Sequence, residues 1–187
     1  MIIRNSIAEV YITDVTALAK INENQYDAVF ETEPSYEELR RAFSVTILGT
    51  KTYCYLLINY CFAQLDHCAI LDNDRLVVLM DDILYVFNIN TGNLILQKHY
   101  DQFCTYFGIY PFDDAYVIHG ECEIVKLNRD YDIEWRFSGR DIFVRQSGAD
   151  KSFTIIGDTI QLYDFYDNYY ELDQNGKLIK ERPSLNE

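Results

Sequence analysis

No stretch of the 187-residue sequence approaches the ~20 consecutive apolar residues that a membrane-spanning helix requires. Positive charge is scarce: 16 Lys and Arg stand against 30 Asp and Glu, for a net charge of −14. That shortage removes the phosphate-neutralising footprint on which nucleic-acid binding depends, and it disfavours anionic membranes for the same reason. The excess is spread evenly, −4 over residues 1–50, −5 over 51–120 and −5 over 121–187, so no acidic tail exists. The opening Met1-Ile-Ile-Arg-Asn-Ser6 lacks the basic region and apolar core of a secretory leader. No long Gly, Ser or Pro linker divides the chain, which predicts a single domain over 1–187 with a core of ordinary size. Five cysteines (Cys54, Cys61, Cys68, Cys104 and Cys122) make an odd set without a CxxC. Reduced, buried thiols in a cytoplasmic protein of bacterial style fit that set better than a disulfide framework. Cys61, His67 and Cys68 come nearest to zinc spacing, but no second pair follows. A Gly-rich phosphate loop, a G-x-S-x-G elbow and an H-E-x-x-H helix are all missing. Neither a metal nor a cofactor is expected.

The chain is rich in β-branched and aromatic residues laid out in short runs. Leu76–Asn88, Tyr116–Asn128 and Phe153–Tyr163 each read as an apolar run, a two-residue polar break and a second, more alternating run. The breaks at Asp81-Asp82, Glu121-Cys122 and Asp158-Thr159 recur at about 40-residue intervals, the period of WD-type blades. Residues 44–181 read as a meander of hairpins whose short loops force antiparallel pairing. Residues 1–43 form an irregular, partly helical N-terminal segment, and 182–187 a frayed tail. Ser35 with Glu38 satisfies a capping box after Pro34, which predicts a short helix over Tyr36–Phe43. Asp14–Ile21 reads either as a second short helix or as irregular strand. The fold class is all-β: a small or partial β-propeller-like meander, with a curled β-sandwich as the alternative.

Leu84-Tyr-Val-Phe-Asn-Ile-Asn-Thr-Gly-Asn-Leu-Ile-Leu-Gln97 resembles the inner hairpin of a quinoprotein-like or WD-like propeller blade. Tyr170–Lys180 is similar to a second copy and Ile124–Trp135 to a degenerate third, so the resemblance runs over about residues 65–180. What it implies is a blade-type fold. The Gly-His and Trp-Asp dipeptides of WD repeats are missing, and with Trp135 alone and no adjacent cysteine pair the quinoprotein cofactor chemistry does not carry over.

Three groups of residues invite chemistry. His119, with Glu121 and Glu123 near it, has the makings of a general base or a metal ligand, but the favoured reading is a strand-end histidine bonded to backbone. His67 and Cys68 are adjacent on a strand, so they face opposite ways and form no dyad. Carboxylates cluster at Asp72/Asp74, Asp81/Asp82, Asp113/Asp114, Asp130/Asp132 and Asp164/Asp167, where turn chemistry competes with Ca²⁺ or glycoside chemistry. The remaining anomaly is aromatic: Tyr163, Asp164, Phe165, Tyr166, Asp167, Tyr169 and Tyr170 crowd one hairpin. Tyrosine among acids suits protein recognition, and cross-strand pairing that stiffens the hairpin is the competing account. The favoured function is therefore a non-enzymatic module that binds a basic protein through an acidic, tyrosine-rich surface, in the manner of an immunity-type inhibitor. A small carboxylate-based hydrolase or carbohydrate-binding domain, and a structural scaffold, are the alternatives.

Overall fold

The computed structural model of the chain describes residues 1–17, 21–32, 40–60, 65–100, 104–146 and 151–184. Among them are seventeen strands, one 3₁₀ turn at Glu23–Gln25 and no α-helix. The chain forms two compact units, Met1–Phe103 and Cys104–Glu187.

The first unit begins with a five-stranded sheet of β1 (Ile2–Arg4), β2 (Glu9–Asp14), β3 (Ala28–Glu31), β4 (Arg40–Leu48) and β5 (Thr52–Tyr60), in the order β1-β2-β4-β5-β3. The expected helix over Tyr36–Phe43 is not formed. Arg40 to Phe43 open β4 and pair with Tyr60 to Leu57 of β5, while positions 36–39 lie outside the described residues. Phe43, Val45 and Ile47 alternate into the core with no exposed surface. A capping box contributes only about 1 kcal/mol, and a two-turn helix does not stand without packing, so nine paired residues on each of two strands prevail. The N-terminal segment thus supplies three strands. One of them, β3, lies parallel to β5 at the sheet edge, the one exception to antiparallel pairing among the described residues.

Behind this sheet lies a meander of β6 (Ala69–Asp72), β7 (Arg75–Met80), β8 (Ile83–Asn88) and β9 (Leu94–His99). The two share one core, in which Val10, Ile12, Val45, Ile47 and Leu57 meet Leu76, Val78, Met80, Tyr85 and Phe87. Tyr55 and Phe87 stack across it with ring centroids 4.6 Å apart. Both β7 and β8 are buried on both faces, which is why their sequences read as unbroken apolar runs.

The second unit holds two further four-stranded meanders. One is β10 (Tyr106–Phe112), β11 (Ala115–Gly120), β12 (Ile124–Leu127) and β13 (Ile133–Phe137); the other is β14 (Phe153–Ile156), β15 (Thr159–Tyr163), β16 (Tyr169–Leu172) and β17 (Leu178–Arg182). Phe112, Val117 and Ile124 pack with Phe143, Ile160, Leu162, Tyr170 and Leu172 as one core. Pro111, which reads as a breaker, sits inside β10 opposite Tyr116. An edge strand tolerates it because the missing N–H would point away from the sheet. Residues 141–145 are irregular chain, anchored by the fully buried ring of Phe143.

The three meanders repeat their turns. Each opens with a two-residue loop, Asn73-Asp74, Asp113-Asp114 or Gly157-Asp158, whose first residue takes a positive φ of 53°, 56° or 57°. Each closes with a turn that starts on Asn88, Asn128 or Asp173 and accepts backbone N–H bonds on that side chain. A register shift in the ladder accompanies every closing turn. This alignment corrects one sequence repeat. The Asp158-Thr159 break belongs to the opening hairpin of its sheet, whereas Asp81-Asp82 and Glu121-Cys122 lie in the middle hairpins of theirs. Consecutive hairpins look alike over a dozen residues, so local pattern alone does not tell first from second.

Neighbouring sheets lock onto the closing turns through aromatic rings. The Tyr53 hydroxyl donates to the Asn90 carbonyl at 3.1 Å, and the Trp135 indole N–H donates to the Gln174 carbonyl at 3.1 Å. Gly176 has φ 74°, and a Cβ there would lie 2.5 Å from the Trp135 ring. Gly176→Ala is expected to destabilise the second unit by about 1–3 kcal/mol, seen as an earlier urea midpoint in Trp135 fluorescence. Wild-type stability in this variant would show that the indole yields freely.

Candidate functional site

The middle hairpins are where the meanders differ. The connection is Asp81-Asp82 between β7 and β8, a tight turn through Glu121 and Cys122 between β11 and β12, and residues 164–168 between β15 and β16. Variable loops on a repeated scaffold are the usual carriers of function.

The 164–168 loop is built around Asp164, which has no exposed surface. Its Oδ1 accepts from the Tyr166 N–H (3.1 Å), the Asn168 N–H (2.9 Å) and Asn168 Nδ2 (3.2 Å). Its Oδ2 accepts from Asn168 Nδ2 at 2.9 Å and from the Tyr170 hydroxyl at 2.7 Å. The same backbone motif occurs at 128–132 and 173–177, where the first side chain likewise bonds the amides two and four residues on. In each the fourth residue takes positive φ: Tyr131, Asp167 or Gly176. Here, however, the motif is pinned from inside. Tyr170 also accepts from the Arg140 N–H at 3.1 Å, and Asn168 Oδ1 accepts from the Ser184 N–H at 2.9 Å.

The structure therefore divides the predicted tyrosine set. Tyr170 points into the core, and burial pushes its hydroxyl up to about 12. Tyr169 is buried against Tyr163 and under the Arg182 guanidinium, 4.4 Å from its ring centroid; burial and the adjacent Glu171 raise its hydroxyl to about 12. Tyr163 lies half-buried beneath Arg145, whose guanidinium is 4.3 Å from its centroid. Arg145 Nε also pairs with Asp167 at 2.6 Å. Phe165 is half-buried and meets Tyr166 edge-on at 5.4 Å. Tyr166 alone of the set is widely exposed, at 59%. The expected acidic face is thus locally neutralised: one carboxyl is internal and the other is ion-paired. Sequence reasoning missed Arg145 and Asn168. The spacing of Asp164 and Asn168, shared with Asn128 and Asp132, was a usable signal for the second; Arg145 comes from a separate segment and left none.

A strap over 143–146 ties the two longer connections together. The Phe143 N–H donates to the Glu121 carbonyl at 2.6 Å, and the Gln146 N–H donates to the Phe165 carbonyl at 3.2 Å. Beneath the strap is His119, 8% exposed, stacked on Phe153 at 4.7 Å and edge-on to Phe107 at 5.2 Å. Burial lowers its pKa to about 4, against a smaller opposing pull from a hydrogen bond with the Phe143 backbone. An imidazole kept neutral among aromatic rings is a packing element, the second of the two readings its sequence allowed. Glu123 is likewise internal, paired with Arg136 and accepting from the Tyr106 hydroxyl at 2.6 Å.

The other paired carboxylates serve their own turns or neighbouring side chains. Asp74 accepts from Asn88 Nδ2 at 2.9 Å, Asp82 lies 3.2 Å from His99 Nδ1, and Asp113 pairs with the buried Lys126 at 3.1 Å. Among the described residues no three His, Cys, Asp or Glu side chains gather as a metal group, and no helix is long and apolar enough to cross a membrane.

No protein-family model matches the chain, and no curated protein does. Solved structures share its fold. BamB from Moraxella catarrhalis superimposes with a TM-score of 0.51 at 12% identity, over 83% of this chain and 50% of that one. The computationally designed Ika8 protein does so with a TM-score of 0.53 at 10% identity, over 80% and 48%. The fold is accordingly propeller-like, as the blade-type hairpins imply. The chain spans about half the length of these structures.

Proposed function

We propose that the chain is a non-enzymatic protein-binding module, cytoplasmic in setting, whose contact element is the 164–168 loop. One observation carries this reading: Tyr166 projects at 59% exposure from a loop fixed by five hydrogen bonds to one buried carboxyl. A large aromatic held in place before binding loses little entropy on association, which is how tyrosine comes to dominate interface energetics. The net charge of −14 supports a basic partner, of the kind an immunity-type inhibitor would neutralise. That charge acts over the whole surface rather than at the loop, because Arg145 answers Asp167.

The test is affinity capture from the native host with wild-type and Tyr166→Ala baits, followed by binding kinetics on the recovered protein. Tyr166→Ala should weaken binding by at least about 30-fold, the scale of an interface hot spot. Its folding stability should stay within about 0.5 kcal/mol of wild type, as befits an exposed side chain. Association should also slow as salt rises. Equal capture by both baits removes the loop from consideration, and a salt-insensitive association rate removes the charge argument.

A further inference from the structure

We infer that Cys104 and Cys122 form a redox-active pair, able to close into an intramolecular disulfide when the protein meets a small-molecule disulfide such as oxidised glutathione. The pair follows from register. Tyr106 lies opposite Gly120, and the Glu121 N–H donates to the Thr105 carbonyl at 2.7 Å. Beyond that pair the ladder ends, and Cys104, at the entry to β10, lies beside Cys122 in the β11–β12 turn. A disulfide needs Cα atoms about 4.4–6.8 Å apart, a reach that a sulfur already in contact with the other cysteine's backbone makes accessible. The sulfur of Cys104 already touches Cys122: Sγ accepts from the Cys122 backbone N–H at 3.3 Å. Neither residue is in a disulfide now.

The two thiols differ in a way that assigns their order of reaction. Cys122 is exposed, whereas Cys104 is 7% exposed and burial pushes its thiol up to about 12. Thiolate exchange needs access as well as deprotonation, so Cys122 is the entry point. Its thiolate attacks one sulfur of oxidised glutathione, forming a mixed disulfide and releasing one glutathione thiolate. Cys104 then gives up its proton, to solvent or to that released thiolate, and attacks the Cys122 sulfur. The second glutathione leaves as a thiolate and is protonated from solvent. The protein loses two electrons and two protons, and oxidised glutathione becomes two molecules of reduced glutathione. Because Cys104 is a reluctant thiolate, the second step should quicken as pH rises. The closed bond staples the entry to β10 onto the β11–β12 connection. This inference stands apart from the binding role of Tyr166.

The test treats the full-length reduced protein with oxidised glutathione, quenches in acid and maps peptides by mass spectrometry. The expected product is a Cys104–Cys122 cross-link without retained glutathione, reversed by dithiothreitol, with a melting temperature several degrees above that of the reduced protein. Cys104→Ser should trap glutathione on Cys122 permanently, and Cys122→Ser should leave Cys104 unmodified in the folded state. Should Cys104→Ser fail to fold, differential alkylation of the wild type at early times gives the same order, with the Cys122 adduct preceding the cross-link. A lasting adduct on wild-type Cys122, a cross-link to any other cysteine, or no reaction at Cys122 overturns the inference.

Discussion

Replacing Asp164 with alanine should cost the second unit about 3–5 kcal/mol, the largest loss expected from any single side chain in the 164–168 loop. The carboxyl has no exposed surface and is the shared acceptor of five hydrogen bonds from Tyr166, Asn168 and Tyr170. Alanine leaves the Tyr170 hydroxyl and the Asn168 amide facing a cavity, and each buried donor stripped of its partner costs about 1–3 kcal/mol. The measurement is urea unfolding followed by Trp135, the chain's only tryptophan, which lies in that unit. Tyr170→Phe should cost less, about 1–2 kcal/mol, because Asp164 keeps its four other bonds and only the Arg140 N–H loses its acceptor. The double variant should fall short of the sum, since both changes delete the same bond. A loss under about 1 kcal/mol for Asp164→Ala would mean that the loop keeps its shape without the carboxyl, in conflict with the anchoring role assigned to it.

Stability of the same unit should decline steeply between pH 6.5 and pH 4. The folded-state pKa of His119 is about 4, while an unfolded histidine titrates near 6.5. The unfolded chain therefore takes up the proton first as pH falls. The contribution is complete above about pH 6.5 and is lost progressively down to about pH 4, where it totals about 3 kcal/mol at 1.36 kcal/mol per unit. His119→Phe should flatten the urea midpoint across that window, because a phenyl ring still stacks on Phe153 and Phe107 but has nothing to protonate. If the slope is unchanged in the variant, the acid sensitivity lies elsewhere.

Much of the architecture could be read from residue order, and particular elements show why. Leu76–Met80 and Ile83–Phe87 announce themselves because apolar runs flank a two-residue acidic turn. Leu84–Gln97, Ile124–Trp135 and Tyr170–Lys180 are legible as equivalents, since each fixes its closing turn with a local Asn or Asp. The first sheet was legible only in its β4–β5 hairpin from residue 44 onward; β1, β2, β3 and the start of β4 were not. The partners of β3 and of Arg40–Phe43 lie well away in sequence, and a capping box at Ser35 and Glu38 suggested helix where tertiary pairing made strand. At the candidate site, composition singled out the right hairpin but not the direction of each side chain. Alternation holds along β15 and fails across the five-residue loop. It therefore could not reveal that Asp164 turns inward, that both Tyr169 and Tyr170 are covered, or that a distant arginine cancels Asp167.

The proline in β10 bears on how the molecule avoids its own kind. Counting from the two-residue loop, Pro111 and Tyr116 occupy the pair whose backbone groups point away from each other, so the ring nitrogen points away from β11, toward the border where no described strand pairs. An amide there would extend a row of vacant donors along which a foreign strand could zip. With the ring in place that row is interrupted, so strand addition at this border is disfavoured by covalent chemistry rather than by charge.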